Sequence, residues 1–192
     1  MKFEIGQSAP SALLETILGQ RVAVPDPGSA WVHLQFRRFA GCPVCNFHLM
    51  GLARRHEEVR AAGVRQVVVF HSTREEMLGY QAQLPFDCVA DPHKRLYRQY
   101  GVETSIRALL HPSVFWSGMR WVLATRRFYR RAENGILGLP ADFLIDARGR
   151  IAAAHYGSHA DDQWDSDHVL RLVGTAARSG DLSQPSPRGS AS

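Results

Sequence analysis

At 192 residues, with 45% hydrophobic and 21% charged side chains, the chain has the length and composition of one ordinary folded domain, which excludes collagenous, coiled-coil and wholly disordered classes. Lys and Arg number 23 against 18 Asp and Glu, a formal charge of +5, too small an excess to indicate a nucleic-acid partner. No apolar run approaches the roughly 20 residues that cross a bilayer, and MKFEIGQSAP carries Glu4 and no apolar segment before Pro10, so a cytoplasmic location and no membrane partner are expected.

In chain order, residues 21–27 alternate briefly before Gly28, and WVHLQFR (31–37) sets Val32, Leu34 and Phe36 against Trp31, His33, Gln35 and Arg37, the period of a strand. After Pro43 the spacing turns helical, with Leu49, Leu52, Ala53, His56 and Val59 on one side, Arg54, Arg55, Glu57 and Glu58 on the other, and Gly63 as the stop. VRQVVVF (64–70) has the β-branched run of a buried central strand, and Ser72 with Glu75 three residues on predicts a capping box. FDCVA (86–90) is the next strand; Asp91-Pro92 opens a short helix that runs to Tyr100 and stops at Gly101.

Residues 105–131 break this rhythm with an apolar and then basic stretch, expected to be helical on both sides of Pro112 and to form an insertion. Within it, Arg120, Arg126, Arg127, Arg130 and Arg131 alternate with Trp121, Phe128 and Tyr129, an amphipathic pattern that suits packing over a site or contact with a second copy of the chain. ADFLID and RIAAAHY, separated by Ala147-Arg148-Gly149, predict a hairpin, and residues 165–177 a closing helix with Val169, Leu170 and Val173 on one side. Alternation of strand and helix gives an α/β domain spanning 1–178, followed by a low-complexity tail, 179–192, expected to be disordered.

Three cysteines cannot build a disulfide framework in a chain of this length, and an odd count in a reducing compartment points to chemistry or burial. Two of them form Gly41-Cys42-Pro43-Val44-Cys45, a C-x-x-C where a strand gives way to a helix. A thiol at a helix N-terminus faces unpaired backbone N–H groups and the positive end of the dipole, which lower its pKa from about 8.5 towards 3.5–7.5 and favour the reactive thiolate. Pro43 suits the first turn, Cys45 is spaced to close a disulfide with Cys42, and Arg37 and Arg38 add positive charge nearby. Half a zinc site is the competing reading, but a structural zinc needs two further ligands. Only His48 and Cys88 are candidates, and neither has the spacing, so no metal or organic cofactor is expected. Cys88 reads as a small core residue.

The order FRRFAGCPVC, VVVFHS, FDCVADPHKRLYRQYGVE and GLPADFLIDARGRI resembles the peroxiredoxin-like branch of the alkyl hydroperoxide reductase and thiol-specific antioxidant superfamily, over roughly residues 5–175. The resemblance implies a thioredoxin-like fold, a central mixed sheet flanked by helices, and an antioxidant or cell-redox role. The family's P-x-x-x-T-x-x-C motif, laid on this chain, puts its cysteine at Cys45, its Thr at Cys42 and its Pro at Arg38, and its usual arginine falls near Pro140. Gly138-Leu139-Pro140-Ala141-Asp142-Phe143 resembles the loop in which thioredoxins hold a cis-proline facing the C-x-x-C, which makes Pro140 a substrate-binding candidate.

Under thioredoxin logic Cys42 attacks a substrate disulfide and Cys45 resolves it. Under peroxiredoxin logic Cys45 attacks a hydrogen or organic peroxide and condenses with Cys42. Both end at a Cys42–Cys45 disulfide, re-reduced by a thioredoxin or glutathione type of system. A non-catalytic reading is a redox-sensing binding module whose basic surface changes partner with that disulfide. Of the histidines, His56 reads as helix-face packing and His33 and His71 as hydrogen-bonded core groups, while His48, one turn past Cys45, either tunes the thiols or is solvated.

Overall fold

The structure, a computed structural model, describes residues 2–102 and 138–181. The helical insertion expected near 105–131, with its arginine-rich stretch 119–131, and the end of the tail from 182 onward lie outside the described residues.

The β-branched and aromatic runs become β3 (Trp31–Arg37), β4 (Val64–Phe70) and β5 (Asp87–Ala90), all parallel to one another. The β6 (Ala141–Asp146) and β7 (Ile151–Tyr156) hairpin turns at Gly149, whose φ of 82° is the left-handed conformation that glycine adopts without strain. It adds antiparallel to the other side of β3, completing the order β5-β4-β3-β6-β7. This is a five-stranded mixed sheet, and its centre is β3; β4, expected to be central, is its neighbour. A separate antiparallel pair, β1 (Ala12–Glu15) and β2 (Arg21–Val24), covers part of one face. The first of these strands was not predicted: its residues alternate between half-buried and exposed and carry little apolar contrast.

Helices cover both faces. The long helix expected after Pro43 is two, α1 (Pro43–Arg54) and α2 (His56–Ala61), because Arg55 leaves helical geometry at φ −114° and ψ 17°. Next comes α3 (Arg74–Gln81), capped by Thr73, whose hydroxyl accepts from Glu76 N at 3.4 Å. The predicted Ser72–Glu75 capping box is thus displaced by one residue, since the Ser72 hydroxyl accepts instead from Ala40 N at 2.9 Å. Helix α4 is only Arg95–Gln99, with Asp91 accepting from Arg95 N and Leu96 N at 2.9 and 2.8 Å across the intervening turn. Helix α5 (Ser166–Asp181) starts under Asp165, which accepts from His168 N at 2.8 Å, and runs past the predicted end at 177.

Three clusters of buried side chains hold these layers together. Val32, Leu34, Phe36 and Phe143 meet Tyr97 and Tyr100 on one face; Leu49, Val68, Phe70 and Met77 surround both C-x-x-C cysteines on the other; Leu144, Trp164, Val169 and Val173 anchor α5. The polar face of β3, which alternation alone would leave in water, is fully buried at His33, Gln35 and Arg37. Its charge is met across the ladder, where Asp142 stands opposite Gln35. Asp142 accepts from Arg37 at 2.8 and 3.1 Å and contacts His33 Nε2 at 2.9 Å, and Arg37 also reaches Gln35 Oε1 at 2.7 Å. Removing one partner from such a buried ion pair costs about 3–5 kcal/mol.

Among the described residues no helix is long and apolar enough to cross a membrane.

Candidate active site

Strand β3 delivers the chain to the loop Arg38-Phe39-Ala40-Gly41, and α1 carries it away, so the C-x-x-C stands at a strand end with Cys42 in the N-cap position of α1. Cys42 is extended at φ −63° and ψ 115°, and Pro43 opens the first turn, where its missing N–H leaves no bond unmade. Both thiols are free and buried.

Their environments differ. Burial pushes the Cys42 thiol up, but a hydrogen bond from the Cys45 thiol, the charge of Arg38, and the backbone N–H groups of Cys45 and Val44 outweigh it and bring Cys42 down to about 7. Arg38 Nη1 lies 3.7 Å from Cys42 Sγ. For Cys45, burial and then its hydrogen bond and proximity to Cys42 drive the thiol well above its ordinary range. When Cys42 ionises, the remaining proton stays on Cys45, which donates to the Cys42 thiolate.

A set of amides holds the loop. Asn46 Nδ2 donates to Ala40 O at 2.6 Å and to Cys42 O at 3.0 Å. Gln81, from α3, donates Nε2 to Ala40 O and to Asn46 Oδ1, both at 2.9 Å. With Ser72 on Ala40 N, three of these bonds meet at Ala40, two residues before Cys42. Sequence reading passed over Asn46 and Gln81 and gave Ser72 only the role of a helix cap. Their signal was weak but present: Asn46 is four residues past Cys42 on a buried helix face, and Gln81 closes an otherwise apolar face of α3.

The two arginines separate. Arg38 reaches Cys42, whereas Arg37 points to the opposite side of the strand and is consumed by Asp142 and Gln35, so it adds no charge at the thiol. His33 is a hydrogen-bonded core group, bound to Asp142. His56 packs near the Phe86 ring, centroids 6.0 Å apart, and contacts Gln66 Oε1 through Nδ1 at 3.0 Å. His48 is half-buried, its Nε2 meeting Trp164 O at 2.9 Å, and burial, with help from the Arg37 charge, lowers it to about 4. His71 ends β4 against the Phe39 ring, and burial followed by the Lys94 charge takes it also to about 4. Cys88 lies buried in β5, where burial raises it to about 12, and the redox pair excludes it.

Pro140 enters β6. Since Phe36 pairs with Ala141, Pro140 lies at the end of the sheet where the cysteine loop begins. Gly138, two residues earlier, packs so closely on His71 and Arg38 that a Cβ there would come within 3.0 Å of His71 Nε2. The expected cis-proline is not found here: among the described residues the cis X-Pro bond is Val24–Pro25. The Pro140 carbonyl is taken by Gly157 N at 2.9 Å. Ala160, in the loop after β7, packs in the cluster that encloses Cys42 and Cys45. Among the described residues no three His, Cys, Asp or Glu side chains gather in a metal-holding group.

Solved structures of similar shape include peroxidoxin BcpB from Mycobacterium tuberculosis, with a TM-score of 0.65 at 12% identity, covering 90% of this chain and 97% of that one. A reduced 2-Cys peroxiredoxin from Plasmodium vivax matches with a TM-score of 0.67 at 14% identity over 98% of this chain and 90% of that one. A protein assigned as the thiol:disulfide interchange protein DsbE from Chlorobium tepidum matches with a TM-score of 0.59 at 21% identity, covering 90% of this chain and 100% of that one. At these identities they establish the thioredoxin-like fold. No curated protein matches the chain. The AhpC/TSA family model matches residues 5–154, a span that holds the whole mixed sheet except the end of β7 together with the cysteine loop, and the chain belongs to that family.

Proposed function

We propose that the protein is a thiol-disulfide oxidoreductase that cycles a Cys42–Cys45 disulfide, with Cys42 as the attacking thiolate and Cys45 as the resolving thiol. Membership of the AhpC/TSA family supports thiol oxidoreductase or peroxidase chemistry in general. The observation that favours disulfide exchange is the split between the two thiols: Cys42 at a helix N-cap beside Arg38 and lowered to about 7, Cys45 one turn on and raised.

The Cys42 thiolate attacks one sulfur of a substrate disulfide, forming a mixed disulfide and expelling the other sulfur as a thiolate. Cys45 then gives up its proton to the departing sulfur and attacks Cys42 Sγ, so the substrate leaves as one thiol and one thiolate, the latter protonated by water, and the protein keeps the disulfide. A thioredoxin or glutathione type of reductant returns two electrons to complete the cycle. Pro140, at the same end of the sheet, shapes the groove in which the substrate lies. Its carbonyl is already bonded within the chain, so it contributes by shape and not by pairing. A cytoplasmic setting goes with this reading, since a reducing compartment keeps all three thiols available.

The alternative with Cys45 as a peroxidatic cysteine requires the less acidic sulfur to react first. Trapping decides. Cys45→Ser should accumulate a mixed disulfide at Cys42 with a protein disulfide substrate, and Cys42→Ser should be inert. A sulfenic acid at Cys45 in the Cys42→Ser variant, formed with equimolar hydrogen peroxide faster than in a free thiol, would overturn the assignment.

A further inference from the structure

The backbone that carries Cys42 is pinned on both sides of its side chain. The Cys42 N–H donates to Phe39 O at 2.9 Å, and its carbonyl accepts twice from a single residue, from Asn46 N and from Asn46 Nδ2, both at 3.0 Å. The amide of Asn46 has a fixed sense. Both hydrogens of its Nδ2 are taken, by Ala40 O and Cys42 O, and both hydrogens of Gln81 Nε2 are taken, by Ala40 O and Asn46 Oδ1. An Asn amide turned end for end keeps its shape and exchanges donor for acceptor. Turned over here, it would set an oxygen against two carbonyl oxygens and an NH2 against the NH2 of Gln81. Gln81, the last residue of α3, thereby dictates that the end of Asn46 facing Cys42 is the donor. Asn46 and Gln81 are 8% and 1% exposed, so water offers little replacement for either.

Pro43 makes this frame matter to the sulfur. A helix N-terminus ordinarily presents several unpaired N–H groups, but Pro43 in the first turn has none. Val44 and Cys45 supply the backbone donors to Cys42 Sγ, and the other groups acting on it are the Cys45 thiol and the Arg38 guanidinium, whose Nη1 is 3.7 Å away. Such bonds weaken steeply with angle, so the thiolate depends on how the peptide groups around Cys42 are turned. We propose that Asn46, oriented by Gln81, is a positioning residue for the nucleophile: it fixes the Cys42 backbone so that Sγ stays within reach of the Val44 and Cys45 N–H groups and beside Arg38. The effect on exchange rate rests on Cys42 attacking first; the effect on its ionisation does not.

In reduced, full-length Asn46→Ala, α1 gains a good helix former and Cys42 O loses its side-chain donor. The Cys42 thiolate absorbance titration should move up by about one unit, and disulfide exchange near neutral pH should slow by up to roughly tenfold. Gln81→Met, which leaves Asn46 in place but free to turn, should give a smaller shift in the same direction. The double variant should shift no further than Asn46→Ala alone, as expected of residues acting through one another. A merely structural amide would lower the urea midpoint and leave the Cys42 titration in place; that result, or additive shifts from the two variants, would overturn the proposal. The unaltered protein gives a check independent of how any variant folds. The Asn46 side-chain NH2 resonances should follow the Cys42 midpoint, while those of the distant Gln7 should not, and Asn46 resonances that stay still would overturn the proposal whatever the variants do. If trapping shows Cys45 to be the nucleophile while Asn46→Ala still raises the Cys42 titration, the oxidoreductase reading fails and the positioning role stands.

Discussion

Arg38 occupies the position where the family's motif would have proline, and its guanidinium lies 3.7 Å from Cys42 Sγ. The positive charge that a family member would draw from an arginine near the start of β6 arises here from the cysteine loop itself. In Arg38→Met the stem still packs but the charge is gone. The Cys42 titration should then rise from about 7 towards its ordinary value of 9.0, by about one unit. Disulfide exchange at neutral pH should slow by up to roughly tenfold, and the deficit should vanish above the variant's own midpoint, where both proteins are thiolate. The sign follows from the thiolate fraction, which rises with pH through the midpoint, so a rate-against-pH profile that shifts without losing its plateau is the expected result. Loss of the plateau at every pH would make Arg38 a structural residue.

The loop after β7 depends on one close approach. A Cβ on Gly157 would stand 2.6 Å from Asp162 O and 2.7 Å from Pro140 Cγ, contacts that backbone and a proline ring cannot relieve by turning a side chain. Gly157→Ala should therefore push this loop away from β6, costing about 1–3 kcal/mol in denaturant melts. It should also lower the rate with a protein disulfide more than with a small one, since Pro140 and the Ala160 contact with the cysteine cluster move with it. At this scale the sequence was most legible where periodicity was strict, as in WVHLQFR, VRQVVVF and ADFLID, whose bounds match β3, β4 and β6. It was least legible where a side chain chose a distant partner over a local one. Ser72 left its own helix for Ala40, and a polar β3 face turned inward to meet Asp142. Those choices are made by tertiary neighbours, which spacing along the chain does not encode. The C-x-x-C and the nearby charge of Arg38 could be read directly because both are local; Asn46 and Gln81 become site residues only once α3 and the loop are folded onto it.

For the molecule as a whole, acid should act through buried histidines. His48 and His71 keep neutral rings in the folded state down to about 4, while the ordinary value of 6.5 applies once the chain unfolds. Between those values the unfolded state binds more protons, so stability falls as pH drops from 6.5 towards 4 and levels off below. Each ring contributes at most about 3 kcal/mol, and His33, shifted the same way by burial, adds to the trend. Asp142, held well below the carboxylate range against the penalty of burial by Arg37 and His33, loses its contribution only at lower pH still. Urea melts across this window should show a monotonic decline; a stability that is flat from neutral to acid would contradict the burial of these rings. The alternation of strand and helix announced an α/β sheet, but its mixed character comes from β6 joining β3 antiparallel across a long stretch of chain. That pairing sets a schedule for synthesis. Arg37 and Asp142 are 105 residues apart, so on a ribosome adding about 5–20 residues per second the cysteine loop waits roughly 5–20 s for the strand that closes over the far side of β3. For that interval Cys42 and Cys45 are also without Ala160, which packs in the cluster that encloses them.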